Sequence, residues 1–389
     1  MSGLPHTTQV VVVGAGPTGL TLAVTLATAG VDHVLIDNQH EGANTSRATV
    51  VHAGTMEALE DLKVTDRLVA EGVRAERFVV RTDKRRLLAA EFTTLPSRYP
   101  FALLISQART EALLLERLRE LGGEVHRPWH FESSREEPGG GLVVTVRDEE
   151  GRRQEIRTAY LAGTDGMHSA VRTQSGIGYD GGTNSEGFIL GDVRLGDGAV
   201  LADEVSLYFG KEGIVVVMPL PGGVCRVVGT VEDAPERPGI ADIQHLIDHR
   251  GPKGGLGRVQ EIVWSSRFRV HHGLARQYRT GRVLLAGDAA HVHSPAGGQG
   301  MNTGILDGIE LGRALGKVLD GADDSLLDEY AARRRAVADQ VVTSASLMVR
   351  NAHLPAPLRP VRNIVMRLAN RVPAARSKMA VRFSGLSYR

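Results

Sequence analysis

Cysteine is almost absent, since Cys225 is the single thiol in 389 residues. One thiol excludes an internal disulfide and a Cys-x-x-Cys redox pair, so we expect a reducing, cytoplasmic setting. Aromatic residues are also scarce, at 4%, which predicts an aliphatic core. The spacing of His, Cys and Asp resembles no metal site, and no Gly-x-Ser-x-Gly segment indicates a hydrolase nucleophile. These absences argue against a disulfide scaffold, a metalloenzyme and a serine hydrolase.

Acidic residues are missing from the C-terminal end, where positions 340–389 contain no Asp or Glu. The cations of this stretch are Arg350, Arg359, Arg362, Arg367, Arg371, Arg376, Lys378, Arg382 and Arg389. Such a tail is typical of proteins that bind nucleic acid or an anionic membrane. The alternative is a helix that packs its apolar side on an acidic body. Helical spacing favours this alternative, through Val361, Ile364, Val365, Leu368 and Val372. We therefore expect segment 341–389 to be helical and packed on the body, with no nucleic-acid binding and no stable membrane association.

The N-terminal segment has the pattern of a dinucleotide-binding unit. A buried strand over residues 10–13 precedes a glycine loop and a helix, and a second strand ends at Asp37. The first glycine of such a loop makes the turn, the second lets a pyrophosphate approach, and the third lets helix meet strand. The helix N-terminus attracts phosphate, and the Asp37 carboxylate can bind ribose hydroxyls. The cofactor-binding candidates here are Gly14, Gly16, Pro17, Thr18, Gly19 and Asp37.

Two later motifs narrow the nucleotide. Residues 163–172 read Gly-Thr-Asp-Gly-Met-His-Ser-Ala-Val-Arg, and residues 281–291 read Gly-Arg-Val-Leu-Leu-Ala-Gly-Asp-Ala-Ala-His. The second motif continues over 294–302 as Ser-Pro-Ala-Gly-Gly-Gln-Gly-Met-Asn. With the glycine loop, these motifs make the whole chain resemble the para-hydroxybenzoate hydroxylase-like group of FAD-dependent aromatic hydroxylases. The resemblance implies non-covalent FAD and an α/β (α+β) fold. In that fold a Rossmann-like three-layer FAD-binding domain carries an inserted β-sheet substrate lobe and C-terminal helices.

The resemblance also implies roles for individual residues. The further candidates for cofactor contact are Asn38, Arg47, Gln107, Asp165, Asp288, Pro295, Gly298, Gly300, Met301 and Asn302. Asp288 would bind a ribityl hydroxyl, while the glycines after it would bring backbone amides to the pyrimidine edge of the flavin. A helix starting near Asn302 would stabilise negative charge there. Arg47 and Pro295 would lie nearest the reacting ring.

Three of these residues are less distinctive. Gln107 matches a family residue at the pyrophosphate or ribityl chain, but for Gln107 and Arg47 a helix cap or a surface side chain is a live alternative. Asn38 stands where the family commonly has a basic residue. The resemblance gives Asp165 a role in supporting the fold and the cofactor and in helping the nicotinamide cofactor react.

The middle of the chain changes to a β pattern that predicts the substrate lobe. We expect residues 76–100 and 179–273 to form this lobe, and residues 1–75, 101–178 and 274–340 to form the FAD-binding domain. Polar and large side chains that could line the substrate pocket are Tyr208, Met218, Arg226, His271 and His272. His271 is a candidate proton relay. The alternative is that one of the two adjacent histidines is a strand-end surface residue.

By resemblance, the activity is a monooxygenation of a phenolic or polycyclic, polyketide-like aromatic through a flavin hydroperoxide. No second glycine fingerprint is present, so NAD(P)H would bind transiently as reductant beside O₂. A Baeyer–Villiger, epoxidising or antibiotic-inactivating enzyme acting on a non-aromatic ring is one alternative, and a non-redox flavin-binding accessory protein is another. A homodimer is one expected assembly. The last residues resemble the joint before a thioredoxin-like domain of larger family members, which suggests a short form.

Overall fold

The computed structural model describes residues 3–42, 48–196, 203–210, 213–231, 233–252, 255–294, 297–352 and 354–388. Its strands are β1 (Thr7–Val13), β2 (His33–Ile36), β3 (Val50–Val51), β4 (Val73–Ala75), β5 (Arg77–Arg81), β6 (Arg86–Glu91), β7 (Ala102–Leu104), β8 (Val125–His126), β9 (His130–Glu136), β10 (Leu142–Arg147), β11 (Arg153–Gly163), β12 (Tyr179–Leu195), β13 (Glu204–Phe209), β14 (Ile214–Leu220), β15 (Val224–Val231), β16 (Val259–Ala275), β17 (Arg279–Thr280), β18 (Val283–Leu285) and β19 (His291–Val292). Its helices are α1 (Pro17–Thr28), α2 (Ala53–Glu60), α3 (Thr65–Glu71), α4 (Gln107–Glu120), α5 (Ala170–Gln174), α6 (Ile240–Arg250), α7 (Gly300–Leu319), α8 (Ser325–Ala352), α9 (Arg359–Arg371) and α10 (Pro373–Phe383).

A largely parallel sheet lies at the centre of the first region, in the order β17-β18-β11-β1-β2-β8. Strand β1 is parallel to both β2 and β11, and the antiparallel strands β9 and β10 continue from β11. Val10 and Val12 face the helices on one side of the sheet, while Val11 and Val13 face the layer that contains β9 and β10. Because both faces of β1 are covered, its residues form an unbroken apolar run.

Helices α1 and α7 cross at very short range beside this sheet. Leu22, Leu26, Ile305 and Ile309 belong to one buried cluster between them. A Cβ atom at Gly308 would lie 2.7 Å from the carbonyl oxygen of Thr18, so only glycine permits this approach. The contact fixes the start of α1 against α7, and it thereby holds the loops before these two helices next to each other.

A second, mostly antiparallel sheet has the order β19-β16-β12-β15-β14-β13-β5-β6. One face is covered by α6, where Val215 and Val217 pack against Ile243 and Leu246. The alternate residues of the same strand, Val216 and Met218, point to the other face of the sheet and belong to a different apolar cluster. This alternation follows from the period of two in a strand. A small sheet of the order β3-β7-β4 lies apart from both large sheets in the hydrogen-bonding pattern.

The C-terminal helices differ from the sequence-based expectation. Helix α9 contacts β6, but Val361, Ile364, Val365, Leu368 and Val372 are 50–57% exposed. The prediction that this apolar side packs on the body is therefore wrong. None of the described helices is long and apolar enough to cross a membrane.

Helix α9 contacts the body through polar side chains of its other side. Asn370 accepts a hydrogen bond from the backbone nitrogen of Ala89, at 3.0 Å. The guanidinium of Arg362 lies 4.0 Å from the ring centre of Phe209. Strand β6 is at the edge of its sheet and offers unused backbone donors. A polar helix face satisfies such donors, whereas an aliphatic face would leave them unpaired.

Candidate active site

The loop between β1 and α1 forms one wall of a cavity of about 480 Å³, through Gly16, Pro17 and Thr18. Gly14 has a φ of 101°, which only glycine adopts readily. A Cβ atom at Gly19 would lie 1.8 Å from the oxygen of Gly14, whereas a Cβ atom at Gly16 would meet nothing within 4 Å. The loop is therefore closed on its inner side and open at Gly16, next to the positive N-terminal end of α1.

Asp37 lies at the end of β2 and closes this loop. Its Oδ2 accepts a hydrogen bond from the Ala15 nitrogen at 2.6 Å, and its Oδ1 accepts one from the Gln39 nitrogen at 2.8 Å. Each carboxylate oxygen keeps a further lone pair for a ribose hydroxyl. Asn38 is exposed, and its side chain accepts a hydrogen bond from Gln39 Nε2 at 3.2 Å.

Gln107 begins α4 and lines the cavity. Its Oε1 accepts a hydrogen bond from the Ala48 nitrogen at 3.3 Å, and its Nε2 donates to Glu111 at 2.9 Å. The helix cap is the neighbouring Ser106, which accepts from the Arg109 nitrogen. Gln107 is therefore neither the cap nor a free surface side chain, because it holds the backbone at Ala48 against the cavity. Arg47, the residue before Ala48, lies outside the described residues.

The motif after β18 forms the facing wall. Asp288 lies in a short 3₁₀ turn (Gly287–Ala289), is exposed, and lines the cavity together with Gly298, Gly300 and Met301. Helix α7 begins at Gly300, two residues before the predicted start. Pro295 lies outside the described residues.

Asn302 is placed differently from its neighbours. Its Oδ1 accepts a hydrogen bond from the His52 nitrogen at 2.8 Å, and its Nδ2 donates to the oxygens of Val50 and Gly298 at 2.7 and 2.8 Å. The side chain is buried and occupied by backbone partners. It ties β3 to the glycine loop, so only its backbone is left to meet a cofactor.

Asp165 binds the N-terminal end of α5, whose cap is Ser169, and is not among the residues that line the cavity. Its Oδ1 accepts from the Ser169 hydroxyl at 2.5 Å, and its Oδ2 accepts from the nitrogens of Ala170 and Val171 at 2.7 and 3.1 Å. Burial raises the pKa of this carboxyl above its usual value, against the effect of these hydrogen bonds. Its neighbours Thr164, Gly166 and Met167 do line the cavity. The structure thus shows Asp165 as the support of the motif, without direct contact to the cavity.

Arg172, at the end of the same motif, has a role that the sequence did not reveal. It donates to the Ala289 oxygen at 2.7 Å and to the Met167 oxygen at 2.9 Å, and its guanidinium lies over the ring of Tyr179. It therefore links the Asp165 motif to the turn that carries Asp288.

The remainder of the cavity is apolar and is formed by the second sheet and by α10. Its lining side chains there include Phe78, Phe92, Phe188, Leu190, Val205, Leu207, Ile214, Val216, Met218, Val228, Phe268 and Phe383. Of the predicted pocket residues, Met218, Arg226 and His271 line the cavity. The cavity is continuous from the glycine loops to this apolar lining.

Two of the predicted pocket residues are elsewhere. Tyr208 is buried on the opposite face of the sheet, in the cluster under α6. His272 is exposed, whereas its neighbour His271 is half-buried and borders the cavity. The predictions for Tyr208 and His272 are therefore wrong. Adjacent strand residues point to opposite faces of the sheet, and these two point to the face away from the cavity.

Arg226 is the buried cation of this region. It is 0% exposed and forms a two-pronged pair with Asp192, with Nε–Oδ1 and Nη2–Oδ2 distances of 2.6 and 2.8 Å. Its Nη1 also reaches the Ala48 oxygen at 3.5 Å. The same residue Ala48 that Gln107 holds is thus contacted from the sheet side as well. Because a bidentate carboxylate partner neutralises the guanidinium, it is not an open carboxylate-binding site.

Two histidines that the sequence analysis did not select also line the cavity. His52 Nε2 lies 3.1 Å from the Gly297 oxygen, and His293 Nδ1 lies 2.8 Å from the Ser294 oxygen. The second ring nitrogen of each is buried without a partner among the described residues. Burial lowers the pKa of each imidazole to about 4, so both rings are neutral near pH 7. The neutral rings therefore each present an acceptor nitrogen beside the glycine loop.

The residues fit FAD. A phosphate chain needs backbone that comes close to it, and the open side of Gly16 supplies this. A ribityl chain needs an acceptor, and the exposed carboxylate of Asp288 borders the cavity. A flavin ring has N–H and C=O groups along one edge, and the backbone of the loop at 297–300, which borders the cavity, can supply polar partners for such an edge.

Comparison with known proteins agrees with this geometry. Residues 7–345 match the model of the FAD binding domain family. The chain belongs to this family. Its cofactor is FAD, its predicted fold class is confirmed, and it is a flavin-dependent monooxygenase.

Three relatives illustrate the match. The chain is 36% identical to 6-methylpretetramide 4-monooxygenase of Streptomyces rimosus, over 97% of the chain and 70% of that protein. The structure of OxyS anhydrotetracycline hydroxylase from Streptomyces rimosus superposes with a TM-score of 0.82 at 31% identity, covering 98% of this chain and 76% of that one. The structure of p-nitrophenol 4-monooxygenase PnpA from Pseudomonas putida superposes with a TM-score of 0.87 at 26% identity, covering 98% and 99%.

Proposed function

We propose that this monooxygenase uses NAD(P)H and O₂ to hydroxylate a sizeable, largely apolar phenolic or polycyclic aromatic compound. The observation that carries the proposal is the single continuous cavity, polar at the glycine loops and apolar at the second sheet. A flavin ring held by the polar end would face a substrate held by the apolar end. Named relatives that act on pretetramide, anhydrotetracycline and p-nitrophenol support an aromatic substrate.

We assign the cofactor contacts as follows. The backbone at Gly16, Pro17 and Thr18 binds the pyrophosphate, beside the N-terminus of α1. Asp37 binds the adenosine ribose with its remaining lone pairs, and Asp288 binds the ribityl chain. When bound, FAD supplies the redox chemistry, which no side chain of the cavity provides.

The protein's own residues have three tasks in this proposal. The aliphatic and phenylalanine side chains exclude water from the reacting centre. The neutral rings of His52 and His293 can each accept a hydrogen bond at the unsatisfied nitrogen. His271 remains the candidate relay on the sheet side. Arg47 and Pro295 are proposed by resemblance alone to lie nearest the flavin ring.

The charge of the cavity favours a phenol over a small benzoate. A carboxylate substrate needs a bidentate arginine that is free to bind it. Arg226 is already paired with Asp192, and Arg269 is exposed at the border of the cavity. The apolar lining instead gains free energy by burying rings.

Substrate screening tests the proposed reaction. NAD(P)H consumption is measured with polycyclic phenols, simple phenols and a hydroxybenzoate, and products are identified by mass and by NMR, because hydroxylation and oxygen insertion add the same mass. We expect consumption with the polycyclic phenols and products heavier by one oxygen atom. An unhydroxylated ring with an inserted oxygen would favour the Baeyer–Villiger alternative, and the absence of NAD(P)H consumption with every compound would favour the accessory-protein alternative.

Flavin affinity tests the assigned contacts. Asp288→Ala should weaken FAD binding by roughly 1.5–3 kcal/mol, the loss typical of a hydrogen bond to a charged group. Asp180→Ala is the matched control, because Asp180 is also exposed and does not line the cavity. Fluorescence titration of the released flavin against each apoprotein measures both. Equal affinities in wild type and Asp288→Ala would exclude the ribityl contact.

We further propose the domain division and location predicted above. Residues 76–100 and 179–273 supply most of the second sheet, which supports a substrate lobe inserted between segments 1–75, 101–178 and 274–340 of the FAD-binding domain. The single cysteine is buried, and burial raises its pKa to about 12, which is compatible with a reducing cytoplasm.

A further inference from the structure

Helix α9 carries an apolar stripe that faces away from the body. The stripe consists of Leu358, Val361, Ile364, Val365, Leu368 and Val372, each at least half exposed. Their spacing by three and four residues puts them on one side of the helix. The other side is fixed to the body, since Asn370 binds the backbone of β6 and Met366 packs in the apolar cluster beside it. The exposure is thus a consequence of how the helix is attached.

The stripe is bordered by positive charge. Arg371 follows Ile364 by seven residues and is exposed on the same side of the helix, while Arg367, three residues after Ile364, is half-buried. Lys378 is exposed on the next helix, α10. None of these three cations takes part in an ion pair or a side-chain hydrogen bond among the described residues. Positions 340–389 contain no Asp or Glu that could neutralise them.

A second basic cluster lies on the strand that holds α9. Lys84, Arg85 and Arg86 are exposed at the turn before β6, with Asp83 as the acidic residue beside them. Arg86 is three residues from Ala89, which binds Asn370 of α9. Three residues of an extended strand span about 10 Å. The apolar stripe therefore has positive charge on its own helix and on the neighbouring turn.

The positive charge around the stripe distinguishes between two partners that could cover it, a second copy of the chain and an anionic lipid surface. A second copy of the chain would place arginines opposite arginines, and a stable dimer interface takes roughly 20–30 residues from each partner, more than this helix offers. An anionic lipid surface complements both features, because its phosphates attract Arg and Lys while its acyl boundary takes up an apolar stripe. We propose that α9 docks this protein reversibly on the surface of an anionic membrane, with the stripe in the headgroup boundary.

The stripe lies close to the apolar end of the cavity. If the proposed function holds, docking would bring the cavity close to a substrate in the membrane. Helix α10 follows α9, and its Phe383 lines the cavity and packs 4.7 Å from the ring of Phe78. A membrane bound at α9 lies beside the helix that covers the apolar end of the cavity. An apolar aromatic substrate concentrates in the acyl region of a bilayer, so docking brings the cavity close to its supply.

Vesicle sedimentation of the FAD-loaded protein tests the proposal. One set of vesicles contains phosphatidylglycerol and phosphatidylcholine in equal parts, and the other contains phosphatidylcholine alone. We expect binding to the first set, weaker binding in high salt, and at least tenfold weaker binding to the second. The double variant Val365→Ser and Leu368→Ser should lose most of this binding. The double variant Ile240→Ser and Val263→Ser, which changes two exposed aliphatic residues elsewhere, should bind as wild type does.

A charge variant makes the test independent of any effect on folding. Arg371→Gln with Lys378→Gln changes two exposed side chains, and about fivefold weaker binding is expected for each lost cation. Flavin content and thermal unfolding verify that each variant is folded. Equal binding to both vesicle sets, or binding unchanged in the stripe variant, would overturn the proposal. A dimer that forms without lipid and is lost in the stripe variant would overturn it in favour of a second copy. NAD(P)H consumption in the absence of vesicles tests the proposed function separately.

Discussion

Two buried carboxylate–arginine pairs lie in different regions of this protein, and they differ in what surrounds them. Asp307 and Arg334 join helices α7 and α8, with both side chains 0% exposed and an Nε–Oδ1 distance of 2.5 Å. Asp192 and Arg226 join β12 and β15 through two hydrogen bonds, whereas Asp307 and Arg334 share one. Arg226 borders the cavity, whereas the lining of the cavity includes neither Asp307 nor Arg334.

The Asp307 pair is part of a closed network. Asp307 also accepts from the Gly287 nitrogen at 3.0 Å and lies 2.7 Å from His291 Nε2. Arg334 in addition donates to Glu310 and to the backbone oxygens of Thr303 and Tyr388. Burial alone would raise the pKa of Asp307, but the charges of Arg334 and His291 hold it below the usual value. The network holds the turn that carries Asp288, so its contribution is to the scaffold of the cofactor site.

The largest expected effect comes from opening the closed network. Asp307→Ala should lower the free energy of unfolding by about 3–5 kcal/mol, because it removes one of the two carboxylates beside the buried Arg334 and leaves the Gly287 nitrogen and His291 without their buried partner. Asp61→Ala is the control, since Asp61 pairs with Arg313 on the surface and such pairs contribute about 1 kcal/mol or less. Denaturant unfolding of the FAD-loaded proteins measures both. Similar losses in the two variants would mean that burial does not distinguish these pairs.

A smaller effect is expected at the pair that borders the cavity. Asp192→Asn should lower the free energy of unfolding by about 1–3 kcal/mol, since the amide oxygen still accepts one hydrogen bond from the buried Arg226 guanidinium. The same change removes the negative charge that neutralises Arg226. A hydroxybenzoate should therefore bind more tightly to Asp192→Asn than to wild type, whereas an uncharged phenol should not. Flavin absorbance changes on titration report both affinities, and an unchanged hydroxybenzoate affinity would show that Arg226 is closed to ligands.

Local patterns predicted the cofactor side of the molecule well. The strand, glycine loop and helix at the N-terminus appear as β1 and α1, and the loop borders the cavity at Gly16. The motif with Asp288 likewise forms the opposite wall. These segments are predictable because their geometry depends on residues adjacent in sequence: a φ of 101° at Gly14 needs only glycine there.

The errors arise where contacts are distant in sequence. Tyr208 points to the face of the sheet that α6 covers, and α6 begins more than thirty residues later in the chain. The apolar side of α9 faces outward because an edge strand far from it in sequence takes up the polar side. Asp307 and Arg334 read as ordinary charged helix residues, and only the packing of α7 against α8 buries them. His52 and His293 had no signal except that they adjoin β3 and the Asp288 motif.

The effect that should be smallest at neutral pH concerns the pH dependence of the cofactor side. Burial, followed by the charge of His291, lowers the pKa of His293 from 6.5 to about 4 in the folded protein. The unfolded chain binds a proton at the higher value, so the stabilisation is complete above pH 6.5 and is lost as the pH falls towards 4. Each such histidine changes the free energy of unfolding by up to about 1.4 kcal/mol per pH unit in this window. His52 should contribute a second, similar slope, since burial also lowers its pKa to about 4.

His293→Gln should therefore flatten the pH dependence by about one proton between pH 6.5 and 4. Glutamine can still donate to the Ser294 oxygen and does not titrate, so the effect at neutral pH should be small. His272→Gln is the control, because it makes the same substitution at an exposed histidine that does not line the cavity. Denaturant unfolding at a series of pH values gives the slopes directly. If His293→Gln retains the wild-type slope, folding does not lower the pKa of His293, and the assignment of a neutral, buried ring to this position is wrong.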